Sequence, residues 1–224
     1  MMDNPDVDRK LLQRNLEELD LLNRYFGGHA VTLEGVKRLV DKKRVYSIAD
    51  LGCGGGDTLK YIAQWARKNS LKLRFMGIDI NLHAIQYLKR NCIGFPEISG
   101  IVMNYEEYVK RVDPADIYLC SLFCHHLDNA KLLELFRALK RARVGFVIND
   151  LQRSAIAYYS AWLFTRIMGG SKLSKNDGPL SVQRAFKKNE LEQLLKESGI
   201  NNYDIRRKWA FRYRIIVRNN SGFN

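Results

Sequence analysis

The stretch Ile48-Ala49-Asp50-Leu51-Gly52-Cys53-Gly54-Gly55-Gly56-Asp57 decides the fold. Apolar residues run from 45 to 51 as in a buried strand, and helical spacing follows over 58–68, so the glycines sit at a strand-to-helix turn. There the backbone turns tightly and approaches a ligand without a Cβ in the way. The dinucleotide fingerprint G-x-G-x-x-G needs its third glycine at position 57, where Asp57 stands, so the spacing is G-x-G-x-G and disfavours NAD. The absence of a G-K-[ST] ending excludes a phosphate-cradling P-loop.

Working outward, the strand–helix alternation continues. Residues 73–78 read as a strand ending at Asp79, 27 residues after Gly52, where a carboxylate can meet ribose hydroxyls. A helix is expected over 82–91, strands over 98–103 and 117–123, a helix over 129–142 and a strand over 144–148. Beyond these come an aromatic helix over 154–168, a polar loop around Asp177-Gly178-Pro179, a helix over 188–198, and closing strands over 203–208 and 211–217. Upstream, Leu11, Leu12, Leu16, Leu19 and Leu22 give an amphipathic helix over 8–25 that Gly27-Gly28 stops, and a second helix is expected over 33–41. Alternation of this kind predicts an α/β, doubly wound, mostly parallel seven-stranded sheet with an antiparallel C-terminal edge strand and an N-terminal helical cap. One domain of 1–224 is expected, divided into a cap (1–44), a ligand-binding core (45–150), an aromatic covering insertion (151–187) and a closing helix and hairpin (188–224).

Composition narrows the class. Of 224 residues, 46% are hydrophobic and 27% charged, ordinary globular usage that excludes a disordered chain or a collagen-like repeat. Cys53, Cys92, Cys120 and Cys124 form no CxxC pair, so neither a zinc ribbon nor a disulfide scaffold is suggested, and four scattered histidines predict no metal site. The start of the chain is polar where a signal peptide needs an apolar core, and no run is long enough to span a bilayer, so a cytoplasmic protein is expected. The charge stands out: 37 Lys+Arg against 24 Asp+Glu gives +13, which brings anionic partners into consideration.

The glycine loop and Asp79 together resemble the class I S-adenosylmethionine-dependent methyltransferases, whose acidic-x-G-x-G-x-G motif stands here as Asp50 to Gly56. The resemblance implies a Rossmann-like fold over roughly 45–217 and S-adenosylmethionine as cofactor. It further implies that Asp50 holds the cofactor's amino group, that Gly52, Cys53, Gly54 and Gly56 line it, that Asp79 takes the ribose and that Ile80 packs on adenine. The usual acidic residue after the third strand is replaced by Asn104, followed by Tyr105, and Ser121 and Leu122 fall where the family flanks the methionine portion.

Phe123-Cys124-His125-His126-Leu127 follows the fourth strand at the catalytic edge, where imidazole is suited to accepting a proton. Either His125 or His126 is a base, or one of them caps or packs under the next helix, with Asp128 as the alternative cap. Asp150, at the end of the fifth strand, is a candidate to accept a proton or orient a histidine, or else pairs with Arg153 or caps a helix. Tyr158, Tyr159, Trp162 and Phe164 read as the roof of an apolar pocket or as a core stripe, which makes Arg153, Tyr158 and Trp162 candidate substrate contacts. Asp150-Leu151-x-Arg153-Ser154, Asp177 to Val182, Arg184 to Phe186 and Asn23 to His29 are similar to the bacterial ubiquinone/menaquinone-biosynthesis methyltransferases, which implies a small phenolic or quinol-like acceptor and a place in secondary metabolism.

A rival reading uses the charge. Lys140, Arg141, Arg143 and the closing set Arg206, Arg207, Lys208, Arg212, Arg214 and Arg218, with Trp209, Phe211 and Tyr213 interleaved, would suit an RNA or DNA methyltransferase. Against it, no N/D-P-P-Y/F sequence follows the fourth strand. A third reading is a non-catalytic cofactor-binding subunit, or a protein that touches anionic membranes to reach a lipophilic quinone.

Overall fold

The computed structural model describes residues 9–110, 113–167 and 172–219, and the polar start of the chain lies outside them. Strands β1 (Tyr46–Leu51), β2 (Leu73–Asp79), β3 (Ile98–Val102), β4 (Ile117–Ser121), β5 (Gly145–Leu151), β6 (Tyr203–Lys208) and β7 (Arg212–Arg218) form one sheet in the order β3-β2-β1-β4-β5-β7-β6. The first five are parallel, while β7 runs antiparallel between β5 and β6. The expected mostly parallel seven-stranded sheet with an antiparallel strand at its C-terminal edge is therefore present. Winding reverses between β1 and β4, and at such a switch point the flanking loops diverge and leave a crevice beyond the strand ends.

Helices cover both faces. On one lie α2 (Gly28–Lys37), α3 (Asp57–Lys68) and α4 (Leu82–Asn91), packing Leu33, Val36, Leu59, Ile62, Ile85 and Leu88 against Ile48, Phe75, Ile117, Leu119 and Val147. On the other, the short α5 (Tyr105–Val109), α6 (Asn129–Leu139) and α9 (Lys188–Glu197) bring Val109, Leu132, Leu135, Phe136, Leu191 and Leu195 onto Ala49, Tyr118, Phe146 and Ile148. Burial of β1, β4 and β5 on both faces explains their mainly apolar sequences, since water reaches neither side.

Three helical expectations are corrected. The second helix starts at Gly28, not 33, because Gly27 takes the left-handed φ of 70° and starts a new helix rather than only ending α1 (Arg9–Tyr25). The expected loop around Asp177-Gly178-Pro179 lies inside a helix, α8 (Lys172–Arg184); Pro179 and Val182 are buried, so packing overrides local turn chemistry. The helix α5 and a 3-10 turn, Cys124–His126, were not foreseen, being too short to show periodicity. The aromatic helix is α7 (Ala155–Ile167).

Candidate active site

A cleft of about 420 Å³ opens at the β1/β4 switch point. It is walled by the glycine loop, the ends of β2 and β4, the start of α5, the 3-10 turn and, unforeseen, the inward face of α1. Gly52 and Cys53 both donate their N–H to the Ile78 carbonyl, at 2.9 and 3.1 Å, which ties the loop to β2. Gly52 holds φ 71°, and a Cβ there would collide with the ring of Phe123. Gly52→Ala is accordingly expected to lose about 1–3 kcal/mol of stability through strain and overpacking, read by denaturant unfolding. Gly56 serves helix packing instead, because its missing Cβ makes room for Leu88 as α3 packs on α4.

Asp79 anchors the opposite wall. Its carboxylate accepts the Gly54 N–H at 3.0 Å and the Asn81 N–H at 2.9 Å, so one side chain fixes both loops. The cap of α4 is Asn81, which frees Asp79 from that role. Asp50 is 2% exposed, and its Oδ1 is buried with no hydrogen-bond partner among the described residues. Burial, and then the charge of Asp79, push its carboxyl up to about 8. An orphaned acceptor beside a second carboxylate is a site for a cation, because a positive group would supply the missing donor and relieve the repulsion. Carboxyl groups dominate the cleft of an otherwise basic chain: Asp20, Asp50, Asp57, Asp79 and Glu106 line it, with Lys131 as the one lysine or arginine among the lining residues.

Ile80, Asn104, Tyr105 and Ser121 also line the cleft. Asn104 spends its amide oxygen on the cap of α5, accepting from Glu106 N at 2.8 Å, so its Nδ2 donor is what it offers a ligand. Tyr105 stacks edge-on against Phe123, ring centroids 5.1 Å apart, and burial raises its phenol above the ordinary value. Ser121 Oγ lies 2.9 Å from Thr32 Oγ1 and 3.3 Å from Asn149 Nδ2, which binds the end of β4 to α2.

The histidines separate into two roles. His126 lines the cleft; His125 is buried, with Nδ1 2.7 Å from Asp150 Oδ1, and its ring lies 4.2 Å from that of His126. Burial alone would raise the carboxyl of Asp150, but the charge and hydrogen bond of His125 and the Leu151 and His125 N–H groups hold it below the usual carboxylate range. Asp150 is therefore ionised, and His125 Nδ1 donates to it. Asp128 caps α6 through the Lys131 N–H, so neither histidine is the helix cap. Leu122, just before this turn, holds φ 55°, a conformation that costs a branched side chain energy and is kept here by the bond from its N–H to Asn149 O, 2.8 Å.

The structure does not bring Arg153, Tyr158 or Trp162 to the cleft wall. Arg153 pairs with Glu190 of α9, Tyr158 packs edge-on against Tyr159, and Trp162 is 40% exposed beneath Arg166. Sequence reasoning missed Leu12, Leu16, Asp20 and Asn23 of α1, together with His29 and Thr58. His29 Nε2 meets Asp20 at 3.0 Å and its Nδ1 meets Thr58 Oγ1 at 3.0 Å, and burial lowers its pKa. The Leu12–Leu16–Leu19 stripe was legible, but not the surface it covers.

Residues 48–143 match the family described as "Methyltransferase domain". No curated protein sequence matches the chain. Among solved structures, the plantazolicin methyltransferase BpumL in complex with SAH superposes with a TM-score of 0.68 at 18% identity, covering 96% of this chain and 91% of that one. Human N-acetylserotonin methyltransferase in complex with SAM gives 0.63 at 14%, over 95% of this chain and 56% of its own. A possible exported protein from Bordetella parapertussis gives 0.63 at 15%, over 85% and 66%. The chain thus spans about two thirds or less of the length of some relatives it matches, and identities this low show the fold alone. The matched stretch, less than half of the chain, carries the glycine loop, Asp50, Asp79 and Asn104, and the orphaned carboxylate of Asp50 suits the ammonium of S-adenosylmethionine.

Proposed function

We propose that this protein methylates a hydroxyl group of a small, aromatic, phenol- or quinol-like acceptor, with His126 as the base, in the manner of the quinone-biosynthesis methyltransferases. The observation that carries the reading is His126 in the wall of an acidic cleft with a buried His125–Asp150 pair behind it. When bound, the cofactor supplies a methyl group on a positive sulfonium. Asp50 takes its ammonium, Asp79 its ribose hydroxyls, and the Gly52–Gly54 backbone lets it approach. His126 takes the acceptor's hydroxyl proton; Asp150, ionised and buried, stabilises the positive charge that the histidine pair gains. Phenolate and sulfonium neutralise each other on transfer, so whatever water the bound acceptor displaces from the cleft favours the product side. Two neighbours support a small acceptor: one is an N-acetylserotonin methyltransferase, and BpumL is also known in complex with a monoazolic desmethylPZN analog and SAH.

The rival nucleic-acid reading loses Arg212 and Arg214 to the interior, and several of its other basic residues are engaged within the chain. Arg214 is fully buried between Glu34 and Asp204, Arg212 is 5% exposed, Lys208 pairs with Glu34, Arg206 with Asp204 and Arg143 with Asp113. Lys140 and Arg141 bond to the carbonyls of Gly199 and Val109. Among the described residues, no helix is long and apolar enough to cross a membrane.

Labelled cofactor offered with a panel of phenols and quinols alongside bulk RNA tests the proposal by mass spectrometry of the product. Methylated phenol is the expected outcome, at a rate flat between low and moderate salt. Labelled RNA, formed at a rate that falls steeply with salt as counterion release requires, would replace this reading with its rival.

A further inference from the structure

Arg212 is a buried cation that the proposed reaction does not use. It stands on β7 opposite Leu151, where β5 delivers Asp150 to the catalytic edge, and it is 5% exposed. Its Nη2 donates to Asn23 Oδ1 at 2.9 Å, while Nε and Nη1 are buried with no partner among the described residues. A Cβ on Gly28 would lie 3.1 Å from the guanidinium carbon, so the bare backbone at the start of α2 is what lets the group fit. Asn23 and the neighbouring His29 both line the cleft, which places the guanidinium one side chain behind its wall. Burial presses its pKa down to about 10, with Asp150 the opposing charge.

A buried guanidinium with two unused nitrogens is costly, because each lost its water and gained nothing. Arginine is also the side chain whose planar fork matches a carboxylate. The nearest structural explanation, an ion pair inside the fold, is met by its neighbour Arg214, which has Glu34 and Asp204. Arg212 has an amide oxygen instead.

We propose that Arg212, gated by Asn23, recognises a carboxylate on the acceptor, so that the substrate class is a hydroxyaryl acid. This rests on the small-acceptor reading above and specifies it. The aryl acid would lie with its carboxylate toward Arg212 and its hydroxyl toward His126. Asn23 exchanges its bond with Nη2 for the ligand, and the orphaned nitrogens gain the charged acceptor they lack.

The test uses the full chain saturated with SAH and titrated calorimetrically with 4-hydroxybenzoate and, separately, with its methyl ester. The acid is expected to bind at least about tenfold more tightly than the ester, the effect of one charged hydrogen bond. Arg212→Met should abolish that difference while SAH affinity stays at the wild-type value. It should also unfold at the same or a higher temperature without ligand, since it removes a buried charge that has no carboxylate within ion-pair distance among the described residues. Asn23→Ala, which leaves the arginine in place, should shift the acid's affinity and not the ester's. Equal binding of acid and ester, binding of neither, or discrimination that survives Arg212→Met overturns the proposal. A marked loss of stability in Arg212→Met, with discrimination unmoved in Asn23→Ala, would give the arginine to the fold and overturn it as well. Failure of SAH itself to bind would instead defeat the methyl-transfer reading, so the two failures are distinct.

Discussion

His126→Ala is expected to turn over a phenolic acceptor about 10²- to 10⁴-fold more slowly than the wild type, the usual worth of a positioned general base. Cofactor affinity should be unchanged, because the contacts assigned to the cofactor lie on Asp50, Asp79 and the glycine loop rather than on the 3-10 turn. Raising the pH should recover much of the loss, as solvent then supplies the phenolate that the missing imidazole would have made. Asp150→Asn should act differently. An amide in place of the carboxylate no longer fixes the proton on His125 Nδ1 at 2.7 Å, and it removes the buried negative charge, so turnover falls without a comparable change in acceptor affinity. Full turnover in His126→Ala near neutral pH, or a carbon acceptor with no acidic proton, would end the assignment.

Asp50→Asn should have the largest effect on cofactor binding. Loss of a charged hydrogen bond at a buried acceptor costs about 1.5–3 kcal/mol, an affinity drop of about 10- to 150-fold in SAH titrations. The same substitution should stabilise the ligand-free protein. The carboxyl of Asp50 is raised in the folded state to about 8, against about 4 when unfolded, so its contribution to stability is fully present below the unfolded value and is lost as pH rises toward 8. An asparagine does not titrate, and the variant should unfold at a higher temperature than the wild type near pH 8. Binding of a cationic ammonium to the wild type should release a proton between about pH 6 and 8, which calorimetry in buffers of different ionisation enthalpy would detect. Absence of proton release together with intact affinity in Asp50→Asn would place the ammonium elsewhere.

The order of elements and the cofactor loop were legible because they depend on local signals. Glycine spacing, apolar runs and a carboxylate at the end of the second strand are each written within a few residues, and Asp50, Gly52, Cys53, Gly54, Asp79, Ile80, Asn104, Tyr105 and Ser121 all line the cleft. The acceptor side was less legible. His125 and His126 are adjacent in sequence and alike in type, yet one is buried on Asp150 and the other faces the cleft; a 3-10 turn sets which way each ring points, and no periodicity announces it. The closing hairpin shows a related limit: Arg206 and Arg207 on the edge strand β6 are exposed while Arg212 and Arg214 on β7 are buried, a difference that a string of arginines and aromatics does not reveal.

What the sequence by itself determined is the class of fold, the cofactor loop and the edge of the sheet at which chemistry takes place, since these follow from backbone freedom at glycine and from which runs of residues must leave water. Only the tertiary structure decided that α1 closes the cleft with Asp20 and Asn23, that His125 leans on Asp150 while His126 faces the cleft, and that Arg212 is buried with two nitrogens unpaired. Those facts depend on the burial of groups brought together from 25 to 189 positions apart in the chain, as in the bonds from His125 to Asp150 and from Arg212 to Asn23. The energy of a charge is set by the water and partners it loses or gains on folding, and neither is written beside it in the sequence.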